Sequence, residues 1–305
     1  MRNMLRTPVL FLVFNRPALA ERVFARIREA KPRVLFISAD GPRAEKPDEA
    51  EQCAAVRRAV SLVDWDCEVQ TRFQAQNFGC KKAVSSAIDW FFSQVEEGII
   101  LEEDCLPSQS FFKFCQELLR HWRSDERVMQ ISGSNFLFNQ SAGSDGSYYF
   151  SRLNDVWGWA TWRRAWRHFD SSMASFPAFT ARDRLQDYLP SASMRAWLMG
   201  YWEEAYAAVG SKRGDWSSLW QYAIASQNGL TAVPQVNLVA NVGIGNGATN
   251  TRGGSWYIYG QVGAQELAEI RHPVFVLPDT RADERRFAVI QQTDRRAQIP
   301  YARSV

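Results

Sequence analysis

The first 135 residues alternate short apolar runs with stretches whose apolar positions recur at helical spacing. Five runs predict strands, and four stretches between them predict helices. In chain order, the predicted elements span residues 9–14, 17–29, 34–38, 49–60, 67–71, 81–92, 99–101, 108–122 and 128–131. Strands that alternate with helices are typical of a parallel sheet covered by helices on both faces. We therefore expect this part of the chain to form an α/β fold.

Polar residues follow four of these predicted strands. In chain order they are Asn15, Arg16, Asp40, Lys81, Glu102, Glu103 and Asp104. In open α/β sheets, ligands bind in the crevice outside the carboxyl ends of the strands. We therefore expect these side chains to face one crevice.

Three consecutive acids, Glu102, Glu103 and Asp104, close the fourth predicted strand. Neighbouring carboxylates raise one another's pKa, and a divalent cation is the simplest way to keep them ionised. Oxygen ligands suit Mg²⁺ or Mn²⁺, which commonly bind one or two carboxylates together with substrate phosphates. The cluster thus predicts a nucleotide diphosphate as ligand. The alternative is that the acids only cap the helix predicted to begin near Ser108.

Two other strand-end residues also allow two interpretations. Asp40 precedes Gly41 and Pro42, so it either accepts hydrogen bonds from a base or ribose or forms a plain turn. Lys81 lies in the first turn of a predicted helix, where a cation opposes the helix dipole unless an anion is near. We predict that Lys81 neutralises a diphosphate, with a solvated lysine as the alternative.

The pattern changes after about residue 135. A polar loop at 135–146 is followed by DVWGWATWRRAW, by two or three helices between 181 and 228, and by a glycine-rich stretch at 241–254 that would suit a mobile lid. Eight of the twelve tryptophans lie within residues 157–220. We expect a nucleotide-binding α/β half at 1–135, an acceptor-side half of the same domain at 136–240, and a C-terminal lid and tail at 241–305.

Candidate chemistry in the second half rests on one acid and a group of aromatic residues. Asp215 comes just before a helical run, where it would serve as a proton-accepting base, as an N-cap, or as both. Trp157 and Trp159 could present ring faces to a saccharide, and Asp155 could bind its hydroxyl groups. Core packing is the alternative for the tryptophans.

Composition excludes several classes. The chain has 36 Lys and Arg against 33 Asp and Glu, a net charge of +3, and no basic run typical of nucleic-acid binding. Its five cysteines lack C-x-x-C spacing and its three histidines are scattered, so neither disulfides nor a zinc site is predicted. The apolar run at 9–14 is too short for a signal peptide, and no run is long enough to span a membrane. We expect a cytoplasmic protein, with peripheral membrane attachment left open.

Four sequence blocks resemble one enzyme family. The apolar strand that ends in three acids, the pair Phe111 and Phe112, the opening PVLFLVFNRP and the segment DVWGWATWRRAW resemble glycosyltransferases of the GT-A fold. They are most similar to the N-acetylglucosaminyltransferase I family and to bacterial nucleotide-diphospho-sugar transferases, over about residues 7–250. The resemblance implies a mixed sheet flanked by helices with a helical acceptor-side lobe. It also implies metal-dependent, inverting sugar transfer in bacterial polysaccharide biosynthesis, from a nucleotide diphosphate donor (UDP-sugar favoured) to a glycan or lipid-linked saccharide.

The same resemblance assigns roles to individual residues. It implies that Asp104 binds Mn²⁺ or Mg²⁺, that Glu102 hydrogen-bonds the ribose, and that Glu103 contacts the donor sugar. The turn at Asn15 and Arg16 would cradle the base and its sugar.

Asp215 would be the base, because the family's base also precedes a tryptophan-containing helix. The sequence departs from the family pattern at two positions. Glu103 stands where the eukaryotic family has Asp, and Asn250 stands where bacterial relatives are expected to carry His.

Three other functions compete with this prediction. A sugar nucleotidyltransferase would need a glycine-rich phosphate loop after the first strand, and NRPALAER contains no glycine. A non-catalytic carbohydrate-binding protein would need only aromatic surface. A glycoside hydrolase would use Glu103 and Asp215 as its carboxylate pair and would need no nucleotide.

Overall fold

The computed structural model describes residues 4–137, 142–211, 214–244 and 262–297. The first part comprises β1 (Val9–Val13), α1 (Pro17–Ala30), β2 (Val34–Ala39), α2 (Glu49–Val60), β3 (Glu68–Phe73), α3 (Cys80–Gln94), β4 (Glu97–Glu102), β5 (Cys105–Pro107), α4 (Gln109–His121) and β6 (Val128–Ser132). The second part comprises β7 (Tyr148–Ser151), β8 (Trp159–Trp162), α5 (Arg163–Trp166), α6 (Phe176–Ala181), α7 (Leu185–Tyr188), α8 (Ala192–Ala207), α9 (Trp216–Ser226), β9 (Leu230–Pro234), β10 (Val239–Asn241) and α10 (Thr280–Ala297). All nine elements predicted for the first 135 residues are present, each within two residues of its predicted ends.

Eight strands form one mixed sheet in the order β3-β2-β1-β4-β8-β6-β9-β7. The first four are parallel, whereas β8 lies antiparallel between β4 and β6. A short antiparallel pair of β5 and β10 stands apart from the main sheet. Strands from both sides of the predicted boundary at residue 135 therefore pair in one sheet. The prediction of a mixed sheet flanked by helices is confirmed, and its parallel half has the strand order of nucleotide-binding α/β sheets.

Helices cover both faces of the sheet through two apolar clusters. One cluster joins β1, β2 and β4 to α1, α2 and α4, and the other joins the opposite face to α3, α5 and α9. Central strands such as β1 are buried along their whole length, as the predicted two-sided burial requires. That prediction is wrong for β3, which lies at the sheet edge and exposes Val69 and Phe73.

The second part of the chain also builds a helical lobe. Its own apolar cluster contains residues of α6, α7, α8 and α9, with Trp202 fully buried at its centre. The predicted helical lobe is therefore present. Within the part of the chain that the structure describes, no helix is long and apolar enough to cross a membrane.

Candidate active site

A cavity of about 990 Å³ opens at the carboxyl ends of β1, β2 and β4, between the sheet and the helical lobe. It lies where the strand order reverses between β1 and β4, which is the ligand position in open α/β sheets. Of the predicted site residues, those that line it are Arg16, Asp40, Glu102, Glu103, Asp104, Asp155, Trp157 and Asp215. We call Arg16, Glu102 and Asp104 the strand-end wall, and Asp155, Trp157, Asp215 and Arg286 the lobe wall.

Arg16 reaches the acidic triplet because of local sequence. Pro17 at the first helical position ends β1 and begins α1, so Arg16 sits in the tight turn between them. The parallel register pairs Leu12 with Glu102, which brings this turn beside the end of β4. Arg16 then forms ion pairs with two of the acids, at 3.3 Å from Glu103 and 3.1 Å from Asp104.

Glu102 is the acid of the triplet without a direct partner. Across the described residues, its carboxylate has neither a hydrogen bond nor an ion pair within bonding distance. Burial, together with the negative charges of Asp104 and Asp215, raises its pKa to about 8. The effect of Asp215 on this pKa indicates that a carboxylate of the lobe wall faces the strand-end wall across the cavity.

Glu103 points into the protein more than into the cavity. It is 5% exposed, and its carboxylate accepts a hydrogen bond of 2.7 Å from the backbone N–H of Phe14. Burial raises its pKa to about 7, against the opposing influence of that N–H and of Arg16. These contacts fix the β1–α1 turn, so the geometry favours a positioning role for Glu103 over a direct contact with a sugar.

Asp104 lies in the turn between β4 and β5. Its Oδ2 accepts from Arg16, and the Cys105 thiol lies 3.6 Å from its Oδ1. The backbone of Gly243 passes so close that a Cβ there would overlap Asp104 Oδ2 and Arg16 Nη1. Asn241 to Gly243 thus pack against the acid. Residues 245–254 of the predicted lid, including Asn250, lie outside the described residues.

The three acids do not converge on one point. Within the described ranges, only one group of three metal-ligating side chains has its ligand atoms within 4.8 Å of one another. It consists of Glu117, His121 and His272, which do not line the cavity. Glu102 ends β4, whereas Glu103 and Asp104 lie in the turn that follows, so the three side chains do not share one direction. A cation at this wall would need oxygen ligands from outside the protein.

Asp40 is engaged by the protein itself. Its two oxygens accept hydrogen bonds of 2.9–3.1 Å from Asn77 Nδ2 and from the backbone N–H groups of Gly41, Phe78 and Gly79. These four bonds fill the acceptor capacity of the carboxylate, while burial raises its pKa. The structure therefore supports the turn interpretation, and the contact of Asp40 with a base or ribose stays a prediction.

Two residues predicted for the donor site, Asn15 and Lys81, lie outside the cavity lining. Asn15 donates a 2.9 Å hydrogen bond to Glu49, which is itself paired with Arg43 at the start of α2. Lys81 donates a 2.9 Å bond from Nζ to the carbonyl of Ala208, just beyond α8. Lys81 therefore compensates the negative end of a helix dipole. Both side chains are engaged by the protein itself, so their predicted contacts with the donor stay predictions.

Asp215 is an N-cap that remains accessible. Its carboxylate accepts from the backbone N–H groups of Ser217 and Ser218, at 2.8 and 3.0 Å, and from both serine hydroxyls. Trp216 and Trp220 anchor α9 in the core behind it. The two predicted roles, cap and exposed carboxylate, are thus compatible at one residue.

Asp155 carries an unexpected partner from the end of the chain. Its Oδ1 lies 2.5 Å from Nη2 of Arg286 on α10, whereas its buried Oδ2 has no hydrogen-bond partner within the described residues. Burial raises the pKa of Asp155 to about 7, although Arg286 opposes this shift. Arg286 lies 131 residues away in sequence. No local pattern in the sequence indicates this pair, and Arg286 was not among the predicted site residues.

The tryptophans divide between cavity and core. Trp157 lines the cavity and packs edge-to-face on Phe136, with ring centroids 5.2 Å apart. Trp159 is fully buried and stacks on Trp216 at 5.7 Å. The prediction of Trp159 as an acceptor contact is therefore wrong: Trp159 is the first residue of β8 and packs in the core with Trp216 and Trp220, whereas Trp157 precedes the strand. Trp197 and Tyr201 of α8, which the sequence analysis did not single out, also line the cavity.

Comparison with known proteins gives little beyond this geometry. No family model and no curated protein match the chain. A solved UDP-glucose pyrophosphorylase complexed with UDP-glucose is 13% identical at a TM-score of 0.28, over 50% of this chain and 64% of that one, less than two thirds of its length. An inositol-1-phosphate CTP transferase from T. maritima is 11% identical at a TM-score of 0.29, over 55% of this chain and 76% of that one. Mouse xyloside xylosyltransferase 1 in its apo form is 11% identical at a TM-score of 0.35, over 75% of this chain and 84% of that one. At these scores the three structures carry no argument about this chain.

Proposed function

We propose that this protein is a metal-dependent, inverting glycosyltransferase of the GT-A type. It transfers a sugar from a nucleotide diphosphate, with a UDP-sugar favoured, to a glycan or lipid-linked saccharide. The observation that carries the proposal is the pair of carboxylate-bearing walls that face each other across the cavity at the β1–β4 switch point. One wall suits a cation and a diphosphate, and the other offers a base.

The strand-end wall fits a divalent cation if the donor completes its coordination. Glu102 and Asp104 place two carboxyl groups close together, and among the described ion pairs of this wall only those of Arg16 offset their charge. A bound cation would reduce the repulsion between the two groups. Asp104 would hold Mn²⁺ or Mg²⁺ together with oxygens of the diphosphate. When bound, the cation stabilises the negative charge that develops on the departing diphosphate.

Arg16 would change partners in this scheme. In the structure its guanidinium compensates Glu103 and Asp104, and it lines the cavity. Once a cation neutralises Asp104, the guanidinium is released to bind a phosphate oxygen, for which its planar donors are well suited. Glu102, which has no partner among the described residues, would form a hydrogen bond with a ribose hydroxyl.

Asp215 is the proposed base. It remains exposed to the cavity and accepts four hydrogen bonds from two serines, which hold its carboxylate in place. It takes the proton of the attacking acceptor hydroxyl while that oxygen attacks the donor sugar from the side opposite the diphosphate. Asp155, Arg286 and the ring of Trp157 lie on the same wall and would position the acceptor saccharide.

A direct test is a thermal-shift panel of sugar nucleotides with and without Mn²⁺. We expect a UDP-sugar to raise the melting temperature only when Mn²⁺ is present, because the diphosphate of the donor completes the coordination of the cation. A matched assay with GDP-sugars and with free saccharides identifies the donor. Stabilisation by saccharide alone, with no response to any nucleotide, would instead support a carbohydrate-binding protein.

One observation favours a second candidate, which is metal-independent transfer. Arg16 already pairs with Asp104, and the acids do not converge on one point. In that case Arg16 itself would neutralise the diphosphate. Transfer measured in EDTA separates the two candidates: the second expects full activity in EDTA and its loss in Arg16→Met, whereas the first expects no activity in EDTA.

A further inference from the structure

A second cluster of metal-ligating side chains lies away from the cavity. The last turns of α4 carry Glu117 and His121, four residues apart, and His272 approaches them from the segment that precedes α10. One ligand atom from each lies within 4.8 Å of the other two. We propose that these three side chains bind a transition-metal ion of the Zn²⁺ class.

The spacing on α4 suits a shared ligand. Residues four apart on a helix project from the same face, so Glu117 and His121 can reach one ion. His272 Nε2 lies 3.5 Å from Glu117 Oε1. The rings of His121 and His272 stack with centroids 3.6 Å apart. All three side chains keep some exposure, which leaves an entry path for the ion.

An outer shell already orients His272. Its Nδ1 lies 2.9 Å from the hydroxyl of Tyr148, and that hydroxyl accepts a 2.8 Å hydrogen bond from the indole N–H of Trp122. Tyr148 and Trp122 belong to the main apolar cluster of the sheet. A bond at one ring nitrogen fixes the ring and directs the other nitrogen towards a metal, as is usual for histidine ligands. Here the other nitrogen, Nε2, faces Glu117.

The donor set selects the metal. Two imidazole nitrogens and one carboxylate oxygen suit Zn²⁺, Co²⁺ or Ni²⁺, whereas Mg²⁺ and Mn²⁺ prefer oxygen ligands. This chemistry differs from that of the strand-end wall, so the two sites would take different ions. A water molecule would complete a tetrahedral coordination. The histidines look scattered along the sequence because 151 residues separate His121 from His272.

Metal binding requires a small rearrangement. Ligand atoms around a tetrahedral Zn²⁺ lie roughly 3.3 Å apart, given bonds of about 2.0–2.2 Å. The exposed ring of His121 must rotate out of its stack, because an imidazole lone pair lies in the plane of its ring. Glu117 must also leave its ion pair with Arg120, at 2.5 Å. That pair is largely exposed and contributes little.

The ion would fasten the C-terminal segment to the sheet. Residues 262–279 contain neither a helix nor a named strand, and they run along β7 through bonds such as Ser147 N–H to Arg271 O. Helix α10 follows directly and carries Arg286 to the cavity. A metal bound at His272 would therefore stabilise residues 262–279 and, through them, the position of α10, which carries Arg286 of the lobe wall. It would not take part in the proposed sugar transfer.

The test uses metal-stripped full-length protein titrated with Zn²⁺ and Co²⁺. We expect one equivalent to bind, the melting temperature to rise, and the Co²⁺ absorption spectrum to show nitrogen and oxygen ligands without thiolate charge transfer. His121→Gln and His272→Gln should each weaken binding at least tenfold. Tyr148→Phe, which removes the outer-shell bond, should weaken it about 10- to 100-fold.

Two controls isolate the site. His168→Gln removes the remaining histidine of the chain and should leave binding unchanged. Asp104→Asn should also leave it unchanged, so failure of the proposed function and failure of this site are distinguishable. Equal Zn²⁺ affinity in wild type and in the His121→Gln His272→Gln double variant would overturn the proposal. So would the absence of a Zn²⁺-dependent rise in melting temperature.

Discussion

The two walls of the cavity are built in different ways. The strand-end wall takes Arg16, Glu102 and Asp104 from the ends of the neighbouring strands β1 and β4, and its charges are coupled through one guanidinium. The lobe wall takes Asp155 from a loop, Asp215 from the start of α9 and Arg286 from α10. Asp155 and Arg286 pair with each other, whereas Asp215 is held separately by two serines. This difference predicts that a single substitution in the strand-end wall alters the contacts of the other residues of that wall. A single substitution in the lobe wall should affect only the residue's own contacts.

The largest expected effect follows removal of the carboxylate at the centre of the strand-end wall. Asp104→Asn should lower transfer by about 10⁴-fold, because the stabilisation of the departing diphosphate is lost. It should also abolish the Mn²⁺-dependent rise in melting temperature with a UDP-sugar. Initial rates and thermal shifts measure the two effects. Asp187→Asn, at an exposed ion pair on α7, is the matched control; Mn²⁺-dependent donor binding by Asp104→Asn equal to wild type would refute the metal assignment.

Asp215→Asn tests the lobe wall in the same way. Loss of the base should lower kcat by about 10³-fold, with donor binding unchanged. Stability should stay near that of wild type, since Asn is as good an N-cap as Asp. Single-turnover kinetics and a donor titration separate the two quantities. Wild-type turnover in this variant would exclude Asp215 as the base, and reduced donor affinity would mean that the walls are not independent.

The acids also predict a pH dependence of stability. The pKa values of Glu102, Glu103 and Asp155 are raised to about 8, 7 and 7, so the folded chain holds these protons more tightly than the unfolded chain. The free energy of unfolding should therefore fall as pH rises from about 5 to 8. Glu102→Gln removes one such group without breaking a bond, and it should raise the stability at pH 8 by about 1–2 kcal/mol, allowing for solvent screening.

Urea unfolding at pH 5 and pH 8 measures this difference. Thr231→Val serves as a neutral control, since it changes a buried side chain that does not titrate. An unchanged pH slope in Glu102→Gln would show that its carboxyl titrates normally. Added Mn²⁺ with donor should flatten the slope of the wild type, because a cation favours the ionised acids.

The smallest expected effect concerns the aromatic part of the lobe wall. Trp157→Ala should raise the acceptor KM by roughly tenfold through loss of a ring contact, with little change in kcat or donor affinity. Trp159→Ala is the contrasting variant: its ring is in the core, so it should destabilise the fold by about 3–5 kcal/mol. Steady-state kinetics at saturating donor and thermal denaturation distinguish them. An unchanged acceptor KM in Trp157→Ala would remove Trp157 from the site.

The local sequence determined the α/β half and where its ligand site lies. Apolar runs fixed the strands, Pro17 fixed the turn that carries Arg16, and alternation with helices fixed the parallel order that gathers the strand ends at one edge. These features depend on neighbours in sequence. They were predictable because periodicity and turn chemistry are local properties.

The tertiary structure alone decided which of the gathered residues face the cavity. Asp40 and Lys81 stand at strand or helix ends as predicted, but backbone groups engage both. The pair of Asp155 and Arg286, and the meeting of His121 with His272, join residues more than 130 positions apart. No local pattern encodes such contacts, because they arise only when helices pack on a completed sheet and bury one side chain against another.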